Sequence, residues 1–578
     1  MSDEAASTAP SSQQPSTATG SPRTGPCSAG HLIVRQLERH GVDRIYCVPG
    51  ESYLDVLDGL HDSPIRTVVC RQEGGAGYMA VAEGRLTGRP GIAMVTRGPG
   101  ASNVMVAVHN AYQDATPLVV FVGLIPTEVR GREAFQEFDL SGWFGSTAKK
   151  VLVLDDPASA ARIVADAMHT AVSGRPGPVI VGLPEETQLV RTDGATVPPR
   201  PVAEPGPAAS DLEALDAAIA RANRPVLVTG GEMWDAQTSA AVAAWAAGRG
   251  VGIFADFRAY DGIDHAHPHY LGALGIGSAP VSREAFAAAD LQIFLGCTRT
   301  DIMTNSYELG CDPETTIVIN RDPGAHGHFG PLDHLVVSTT RAFGAAVAGI
   351  TPTVADTPGW ITEAREAFLD WREPRPPADT SDPAGASGSD AESGAPEYVD
   401  MDLAFAAIRE RLPADAIIAY GAGNHTGWAA RFLPVHGFPS VLGPRNGSMG
   451  FGVPAAVAAA LVHPERTVFS IAGDGCFMMN GQEFSTAVNE GADLTIVIND
   501  NSRYGTIVAH QEREYPGRPS GTNLGNPDFG AWARSFGGFG VQVTRTADFA
   551  EAFAQALAHP GPAIVHALTD PDIRTSRP

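Results

Sequence analysis

Short apolar runs recur along the chain from Ala29 onward, and each is followed by a glycine-rich turn and a longer helix-like stretch. Examples in the first third are RIYCVPG, GIAMVTRGPG and PLVVFVG. Strands that alternate with helix-length segments are typical of βαβ units, in which the strands pair in parallel. The pattern therefore predicts an α/β protein of doubly wound parallel sheets, whose ligands bind beyond the carboxyl ends of the strands.

Two stretches of biased composition divide this pattern into three blocks. A chain of 578 residues is too long for a single core. A proline-rich stretch interrupts the pattern near residues 196–210, and residues 375–397 are acidic and of low complexity, as in a flexible linker. The N-terminus is rich in Ser, Thr, Pro and Ala, which is typical of a disordered tail. We therefore predict a tail at residues 1–28 and α/β domains over residues 29–195, 209–355 and 398–570.

The composition indicates which kinds of partner the protein can bind and where in the cell it is expected. A formal net charge of -25 argues against nucleic acid, and any anionic substrate must be met by local cations or backbone amides. No run of eighteen apolar residues is present, so no membrane span is expected, and the N-terminus lacks the apolar stretch of a signal peptide. The six cysteines show no CxxC pair, as expected for reduced thiols in a cytoplasmic protein.

A carboxylate and a carboxamide follow two neighbouring strands in the last block. Asp474 lies between Gly473 and Gly475 after TVFSIAG, and Asn501 follows Asp500 at the end of LTIVIND. The glycines allow a ligand to approach the backbone, and the helix after them offers free N–H groups to phosphate. A carboxylate beside phosphates would be repelled unless a cation lay between them, and Mg²⁺ binds carboxylates together with phosphates. The pattern predicts a magnesium diphosphate site, with two polar strand-end caps as the alternative.

This arrangement resembles the diphosphate-binding motif of thiamine-diphosphate (ThDP) enzymes. The resemblance implies that Asp474 and Asn501 bind Mg²⁺ through their side chains and that Arg503 binds it through its backbone carbonyl. A shifted register with Asn499 as the ligand fits the motif less well. The other residues that the motif places against the cofactor are Gly473, Gly475, Cys476, Tyr504 and Gly505.

Glu73 follows a buried strand in VVCRQEGGAGYMA and opens a segment of small residues. A carboxylate is costly to bury without a partner, so a specific bond is expected there. In ThDP enzymes a glutamate in this position hydrogen-bonds the pyrimidine ring of the cofactor and favours its reactive tautomer. The resemblance therefore implies that Glu73 is catalytic, and an ordinary strand-end glutamate is the alternative.

Two further segments resemble cofactor-binding loops of the same family. GPRNGSMGFGVPAA (residues 443–456) contains Gly447 and Ser448, and the resemblance implies that the Gly447 carbonyl accepts from the aminopyrimidine. It also implies that Met449 supports the bent cofactor, with a core methionine as the alternative. The loop that the family places against the diphosphate contains Gly423, Asn424 and His425, although His425 is also a candidate helix cap.

The resemblance covers almost the whole ordered chain and is nearest to the acetolactate synthases. In this family the glutamate of one subunit meets the cofactor of another, which implies a homodimer or homotetramer with the active site at the interface. EAFQEFDLSGWFGSTAKK is similar to a segment that places Phe135, Gln136 and Lys149 near the substrate. Lys149 would be the cation that a 2-oxo acid carboxylate needs, and an ordinary surface lysine is the alternative.

The segment YGTIVAHQEREYPGR departs from biosynthetic acetolactate synthases. Thr506 and His510 align with a methionine and a tryptophan of their acceptor pocket, which implies a smaller, more polar pocket and makes His510 a candidate substrate residue. The paired histidines of simple pyruvate decarboxylases are also missing, because His109 is followed by Asn110. Carboligation is therefore more expected than release of a free aldehyde.

We expect an enzyme that uses ThDP and Mg²⁺ to decarboxylate a 2-oxo acid, with pyruvate first, and to join the bound carbanion to a carbonyl acceptor. One alternative is a 2-oxo acid decarboxylase or aldehyde lyase, another a ThDP synthase of specialised metabolism, and a third a non-catalytic subunit of this fold. Many acetolactate synthases also bind FAD. FAD stays open here, although the central block lacks a G-x-G-x-x-G fingerprint.

Overall fold

The computed structural model describes residues 25–297, 299–309, 316–327, 334–375 and 397–577. The predicted linker, apart from its two end residues, and residues 1–24 of the predicted tail lie outside these ranges. Cys27–Ser28 forms a short strand that pairs antiparallel with Arg191–Thr192. The first domain therefore begins before residue 29, where we placed its start.

The prediction of three α/β domains with parallel sheets is confirmed, since each block forms a six-stranded sheet. The order in the first is β3-β2-β4-β5-β7-β6, with every pairing parallel. The strands of this domain are β1 (Cys27–Ser28), β2 (Arg44–Cys47), β3 (Arg66–Val69), β4 (Gly91–Val95), β5 (Leu118–Leu124), β6 (Lys150–Val153), β7 (Pro178–Pro184) and β8 (Arg191–Thr192). Its helices are α1 (Ala29–Arg39), α2 (Leu54–His61), α3 (Glu73–Thr87), α4 (Pro99–Gln113), α5 (Leu140–Phe144), α6 (Ala160–Val172) and α7 (Glu185–Leu189).

The central domain has the parallel order β11-β10-β9-β12-β13-β14. Its strands are β9 (Pro225–Thr229), β10 (Gly252–Ala255), β11 (Tyr270–Ala273), β12 (Leu291–Leu295), β13 (Thr316–Asn320) and β14 (His334–Val337). Its helices are α8 (Ala209–Arg221), α9 (Ala236–Gly248), α10 (Pro280–Ala287), α11 (Thr340–Val347) and α12 (Gly359–Arg372). Arg365 of α12 donates to the carbonyls of Tyr270 and His265, so this domain extends beyond residue 355, where we ended it.

The third domain has the parallel order β16-β15-β17-β18-β20-β19. Its strands are β15 (Ile417–Tyr420), β16 (Val441–Leu442), β17 (Val468–Gly473), β18 (Thr495–Asp500), β19 (Phe539–Val543) and β20 (Ala563–Leu568). Its helices are α13 (Met401–Arg411), α14 (Thr426–Phe432), α15 (Gly452–Val462), α16 (Asp474–Asn480), α17 (Phe484–Glu490), α18 (Gly505–Glu514), α19 (Phe529–Ser535) and α20 (Thr546–Ala558). The central strands β17 and β18 are buried along their whole length, as expected for a sheet covered by helices on both faces.

Small residues let helix α3 pack closely against α4 and against the third domain. A Cβ added at Gly77 would lie 2.5 Å from that of Ala107 in α4, and one at Gly75 would lie 2.5 Å from Oε1 of Glu483. The Glu483 carboxylate accepts the backbone N–H groups of Arg71 and Gln72 just before α3. The start of α3 is therefore held firmly against the third domain of the same chain.

Asp261 of the central domain joins all three domains. Its side chain is fully buried and accepts from Arg85 of the first domain at 2.8 Å. Its other oxygen accepts the backbone N–H groups of Ser440 and Val441 in the third domain at 3.0 and 3.1 Å. Within the described ranges, no helix is both long and apolar enough to cross a bilayer.

Candidate cofactor and metal site

The ends of strands β17 and β18 meet at one cavity of about 250 Å³. The two strands pair in parallel with Gly473 opposite Asn499, so the residues after them emerge at the same edge. Of the residues predicted to bind cofactor or metal, those that line this cavity are Gly423, Asn424, His425, Gly447, Met449, Gly473, Asp474, Gly475, Cys476, Asn501, Arg503, Tyr504 and Gly505. The structure thus brings together sequence segments that lie far apart in the chain.

Asp474 is a buried carboxylate with an unusual pKa. Only 3% of the residue is exposed, and burial together with the nearby negative charge of Asp500 raises its pKa well above the ordinary value. Its Oδ2 accepts from the side-chain amide of Asn526 at 2.7 Å. A buried carboxylate beside a second carboxylate suits a bound cation, which would favour its ionised form.

The negative charge of Asp500 is compensated by hydrogen bonds from neighbouring residues. Its carboxylate accepts from His566 at 2.9 Å, from the backbone N–H of Ser502 at 2.8 Å and from Asn526 at 2.9 Å. Burial alone would raise its pKa, but these hydrogen bonds lower the pKa below the ordinary value. Asp500 therefore supports the site from behind, while Asp474 faces the cavity.

The choice between Asn499 and Asn501 as a metal ligand follows from their contacts. The Oδ1 atom of Asn499 accepts the Thr569 hydroxyl at 2.6 Å, which ties it to the segment after β20. Asn501 comes directly after the end of β18, and its Oδ1 makes only a 3.2 Å local contact with the N–H of Arg503. Asn501 is thus the better placed of the two to offer its amide oxygen to a cation.

The candidate ligand set is one carboxylate, one amide and one backbone carbonyl, all of them hard oxygen donors. Among the residues that the structure describes, no group of three His, Cys, Asp or Glu side chains is arranged to hold a metal. This donor set fits Mg²⁺, which is usually held by one or two protein carboxylates and completed by phosphate oxygens and water.

Glycines let the side chains of His425 and Tyr504 pack closely against the backbone that borders the cavity. A Cβ at Gly473 would lie 2.7 Å from Nδ1 of His425, and one at Gly475 would lie 2.5 Å from Cε1 of Tyr504. Gly423 has a φ of +139°, which favours glycine, and its Cβ would also meet His425. Larger residues at these positions would displace His425 or Tyr504, which line the cavity, so this glycine cradle preserves the space that the predicted cofactor would occupy.

His425 lies at the start of α14, but its side chain makes no capping hydrogen bond. The ring is buried and borders the cavity, and its Nε2 has no hydrogen-bond partner within the described part of the chain. Burial, with the positive charge of Arg258, lowers the pKa of His425 to about 3, so the ring is neutral. A buried nitrogen without a partner suits a polar ligand better than a helix cap.

Cys476 fastens two of the cavity loops to each other. Its buried Sγ accepts the backbone N–H of Ala422 at 3.2 Å and that of Gly450 at 3.3 Å. The thiol therefore fixes the spacing between the loop that contains His425 and the loop that contains Met449. Its side chain acts on the shape of the site rather than on a reacting group.

The loop before α15 is held from the two other domains. Arg258 of the central domain donates to the Pro444 carbonyl at 2.8 Å, and Arg445 forms an ion pair with the buried Asp256. Asn446 contacts the His109 ring at 3.0 Å and accepts the N–H of Ser448. This loop positions the predicted cofactor contacts Gly447 and Met449.

Ser448, another predicted cofactor residue, lies on the same loop but does not line the cavity. Its hydroxyl is buried without a hydrogen-bond partner among the described residues. Tyr78 of α3 donates to the carbonyl of Met449 at 3.4 Å, so the first domain also supports this loop.

Glu73 occupies the first turn of α3, whose N-cap is Gln72. Its Oε2 accepts from Asn103 of α4 at 2.9 Å. Glu73 does not line the Asp474 cavity of its own chain. The structure therefore separates the predicted catalytic glutamate from the predicted metal ligands within one chain.

Gln136 and Phe135 lie near Glu73 on the first domain. A Cβ at Gly98 would lie 2.9 Å from the Gln136 carbonyl, and one at Gly100 would lie 3.3 Å from Oε1 of Glu73. Gln136 has a φ of +63°, and Phe135 is 76% exposed. These residues form an exposed edge at the carboxyl ends of the strands of this sheet.

Lys149 is not where we expected it. It directly precedes β6 and therefore lies at the amino edge of the sheet, opposite the edge that presents Glu73. Its ammonium donates to the carbonyls of Thr170 and Ser173 at 2.6 and 2.5 Å. Burial, followed by the charge of Arg321, lowers its pKa to about 8. Lys149 is a structural cation, and its expected role toward substrate is corrected.

His510 is exposed on α18 and contacts Arg513 at 2.8 Å, so it does not line the cavity of this chain. Thr506, one turn earlier, does line it. Its hydroxyl donates to Oδ1 of Asn424 at 3.0 Å and accepts that residue's N–H at 3.1 Å. Thr506 thus holds the loop that contains Asn424, while Ile507 presents the apolar part of the wall.

Several site residues were missed by the sequence reasoning. Asn526 lies in a loop before α19 that matches no motif, and His566 points from the middle of β20. The cavity lining also includes Trp428, Ile573 and Arg574, which come from α14 and from the segment after β20. The sequence around this last segment contains no motif that marks it as part of the site.

Three family models match the chain, one in each domain. The model described as the thiamine pyrophosphate enzyme N-terminal TPP binding domain matches residues 27–143. The thiamine pyrophosphate enzyme central domain matches residues 212–346, and the C-terminal TPP binding domain matches residues 421–567. The last range contains the cavity segments from Gly423 to Thr506.

Curated relatives are similar to the chain along almost its whole length. Acetolactate synthase of Mycobacterium bovis is 31% identical over 548 residues, which cover 92% of this chain and 86% of the relative. Acetolactate synthase isozyme 2 large subunit of Escherichia coli is 29% identical, with 93% of this chain and 95% of the relative covered. Acetolactate synthase large subunit of Corynebacterium glutamicum is 29% identical, with 94% and 88% covered.

Proposed function

Since the chain belongs to the thiamine pyrophosphate enzyme family, on its acetolactate synthase-like branch, we propose that it decarboxylates a 2-oxo acid and joins the remaining carbon unit to a carbonyl acceptor. Pyruvate is the donor that we propose first, because the relatives are named acetolactate synthases. The observation that supports this most is the single cavity in which Asp474, Asn501 and the glycine cradle meet.

The cavity residues divide into those that would hold the metal and those that would hold the cofactor. Asp474, Asn501 and the carbonyl of Arg503 would hold Mg²⁺, with Asn526 and His566 behind them. When bound, ThDP supplies the electron sink that allows a 2-oxo acid to lose CO₂. The loop that contains Met449 would orient it, and the neutral His425 would offer its free nitrogen to a polar group of the cofactor.

The active unit that we propose is a homodimer or a homotetramer. Phe135 is exposed, Glu73 and Gln136 are half-buried, and none of the three lines the cavity of its own chain. A second subunit that placed these residues over the first subunit's cavity would bring Glu73 to the cofactor and would cover the exposed Phe135. Glu73 would then share a proton with the cofactor ring, and its partner Asn103 would fix its orientation.

The relatives, which are named acetolactate synthases, support carboligation, and the cavity wall beside Thr506 is largely apolar. Thr506 is hydrogen-bonded to Asn424, so the wall there consists of Ile507, Trp428 and the segment after β20. FAD is not part of this proposal, because the central domain carries no dinucleotide fingerprint.

Two measurements on the purified protein test the proposed function. The first is calorimetric titration with ThDP in the presence and absence of Mg²⁺, and we expect binding that requires the metal. The second is CO₂ release from pyruvate and from a panel of 2-oxo acids, with and without aldehyde and 2-oxo acid acceptors. Acceptor-dependent turnover is expected, whereas release of free aldehyde in place of a ligated product would favour a decarboxylase. Absence of ThDP binding would overturn the proposal.

A further inference from the structure

The segment after β20 is pinned to the third domain at several points. Thr569 donates to Asn499 at 2.6 Å, and Asp572 forms an ion pair with Arg503 at 3.3 Å. Further along, the N–H of Arg577 donates to Asp402 at 3.1 Å, and its guanidinium pairs with Asp400. We call residues 569–577 the C-terminal segment. Its anchors lie on both sides of the stretch that borders the cavity.

Arg574 lies between these anchors and lines the cavity. Among the described residues, Asp572 has the carboxylate nearest to the Arg574 guanidinium, at 4.0 Å. The Asp572 side chain is 79% exposed and lies closer to Arg503, at 3.3 Å. The Nε atom of Arg574 is buried and has no hydrogen-bond partner among the described residues. The segment thus holds a guanidinium at the cavity with little of its charge compensated.

A 2-oxo acid bound in this cavity would need a positive charge beside its carboxylate. The protein is strongly acidic, so a substrate carboxylate has to be met by a local cation. Lys149 lies in the first domain, at the amino edge of its sheet, and bonds backbone carbonyls there. His425 is neutral, and Arg503 is paired with Asp572. An arginine fork matches a carboxylate in two parallel hydrogen bonds, which a weakly paired guanidinium can form without first breaking a buried ion pair.

We propose that Arg574 binds the carboxylate of the 2-oxo acid substrate. This rests on the proposed function, since it names the residue that recognises that substrate class. The other anion that could reach Arg574 is the cofactor diphosphate. We favour the substrate because Mg²⁺, held by its candidate ligands Asp474 and Asn501, would compensate the diphosphate. The test therefore measures both anions separately.

The experiment uses the protein loaded with ThDP and Mg²⁺ and compares wild type with Arg574→Gln and Arg574→Lys. Binding of oxamate, a non-reacting carboxylate analogue of pyruvate, and of the neutral oxamide is followed by calorimetry. We expect Arg574→Gln to weaken oxamate binding at least about tenfold, as for a lost charge-assisted hydrogen bond, and to leave oxamide binding unchanged. Arg574→Lys keeps the charge without the fork, so its loss should be smaller.

Kinetics and cofactor affinity complete the test. In Arg574→Gln the KM for pyruvate should rise at least about tenfold while kcat falls less, and the ThDP affinity should stay within about twofold. Arg518→Gln is the matched control, because Arg518 is exposed and lies outside the cavity lining; it should behave as wild type.

The possible failures are distinguishable. If Arg574→Gln loses ThDP affinity and keeps oxamate affinity, the guanidinium serves the diphosphate and the inference is overturned. Unchanged oxamate affinity in both Arg574 variants, or no oxamate binding by wild type, also overturns it. If oxamate binding depends on Arg574 but no 2-oxo acid releases CO₂, the proposed function fails while the carboxylate site stands.

Discussion

Asn526 donates its side-chain amide to Oδ2 of Asp474 at 2.7 Å. The same nitrogen reaches Oδ1 of Asp500 at 2.9 Å, so one amide joins two buried carboxylates at the ends of adjacent strands. Two carboxylates so close to each other repel. Burial and this repulsion together raise the pKa of Asp474. The amide therefore holds the two carboxylates of the candidate metal site in a fixed arrangement.

The first prediction concerns Asn526. Replacement by Ala removes the donor that orients the Asp474 carboxylate, and the affinity for ThDP at saturating Mg²⁺ should fall about tenfold. Calorimetric titration measures this. Asn223→Ala is the matched control, because Asn223 also donates its amide to a carboxylate, that of Asp290, on the exposed side of the central domain. Equal affinities in the two variants would show that Asn526 has no part in the site.

The second prediction decides which asparagine binds the metal. Asn501→Ala should weaken Mg²⁺-dependent ThDP binding at least about tenfold, because a ligand is lost. Asn499→Ala should leave that affinity nearly unchanged, since its oxygen is bonded to Thr569. Titration of each apoprotein with Mg²⁺ at fixed ThDP provides the comparison. If Asn499→Ala weakened binding more than Asn501→Ala, the metal ligand would be Asn499 instead of Asn501.

The meeting of Asp474 and Asn501 at one cavity was predictable because its signals are local. Asp474 and Asn501 each come directly after a buried strand, and parallel strands bring their carboxyl ends to one edge. The three-domain division was visible for a similar reason, since strand and linker patterns need only short windows of sequence. These predictions depend on the residues immediately after a strand, and a short stretch of sequence carries that information.

The other parts of the site depend on how distant segments meet. Lys149 precedes its strand, which places it at the amino edge, and a strand start is harder to locate in sequence than the turn that ends a strand. Asn526 comes from an irregular loop, and Arg574 from a segment whose path is fixed by ion pairs of Asp572 and Arg577. No periodicity or motif specifies such contacts.

The third prediction concerns Lys149, which the structure assigns to the fold. Lys149→Met should leave the KM for pyruvate unchanged, and it should change the pH dependence of stability. The pKa of Lys149 is lowered from 10.5 to about 8 by burial and by Arg321, so between these values the unfolded chain binds more protons than the folded one.

The titration of Lys149 should therefore make the folded protein more stable as the pH rises. The stability of wild type relative to Lys149→Met should rise between about pH 8 and pH 10.5, by roughly 1–2 kcal/mol after allowance for solvent screening. Urea unfolding midpoints of both proteins at about pH 7.5 and about pH 10 measure the difference. A difference that stays constant with pH would mean that Lys149 titrates normally, and a raised KM would return it to the substrate site.

The last prediction tests whether two subunits share one active site. Glu73→Gln should retain cofactor binding and lose about 10²–10⁴ in turnover, and Asp474→Asn should lose Mg²⁺-dependent binding. Since Glu73 does not line the cavity of its own chain, a mixed dimer of these two variants contains one site with both native residues. Co-expression with different tags should then restore about a quarter of wild-type activity under random pairing.

A chain that carries both substitutions provides the mirror experiment. In its dimer with wild type, one shared site would contain the Glu73→Gln substitution and the other the Asp474→Asn substitution, so both sites would be defective. If each chain instead completed its own site, the two single variants would not complement each other. The doubly substituted chain would then leave its wild-type partner fully active. Turnover of the tag-purified mixed dimers separates the two arrangements, because each predicts activity in the sample where the other predicts none.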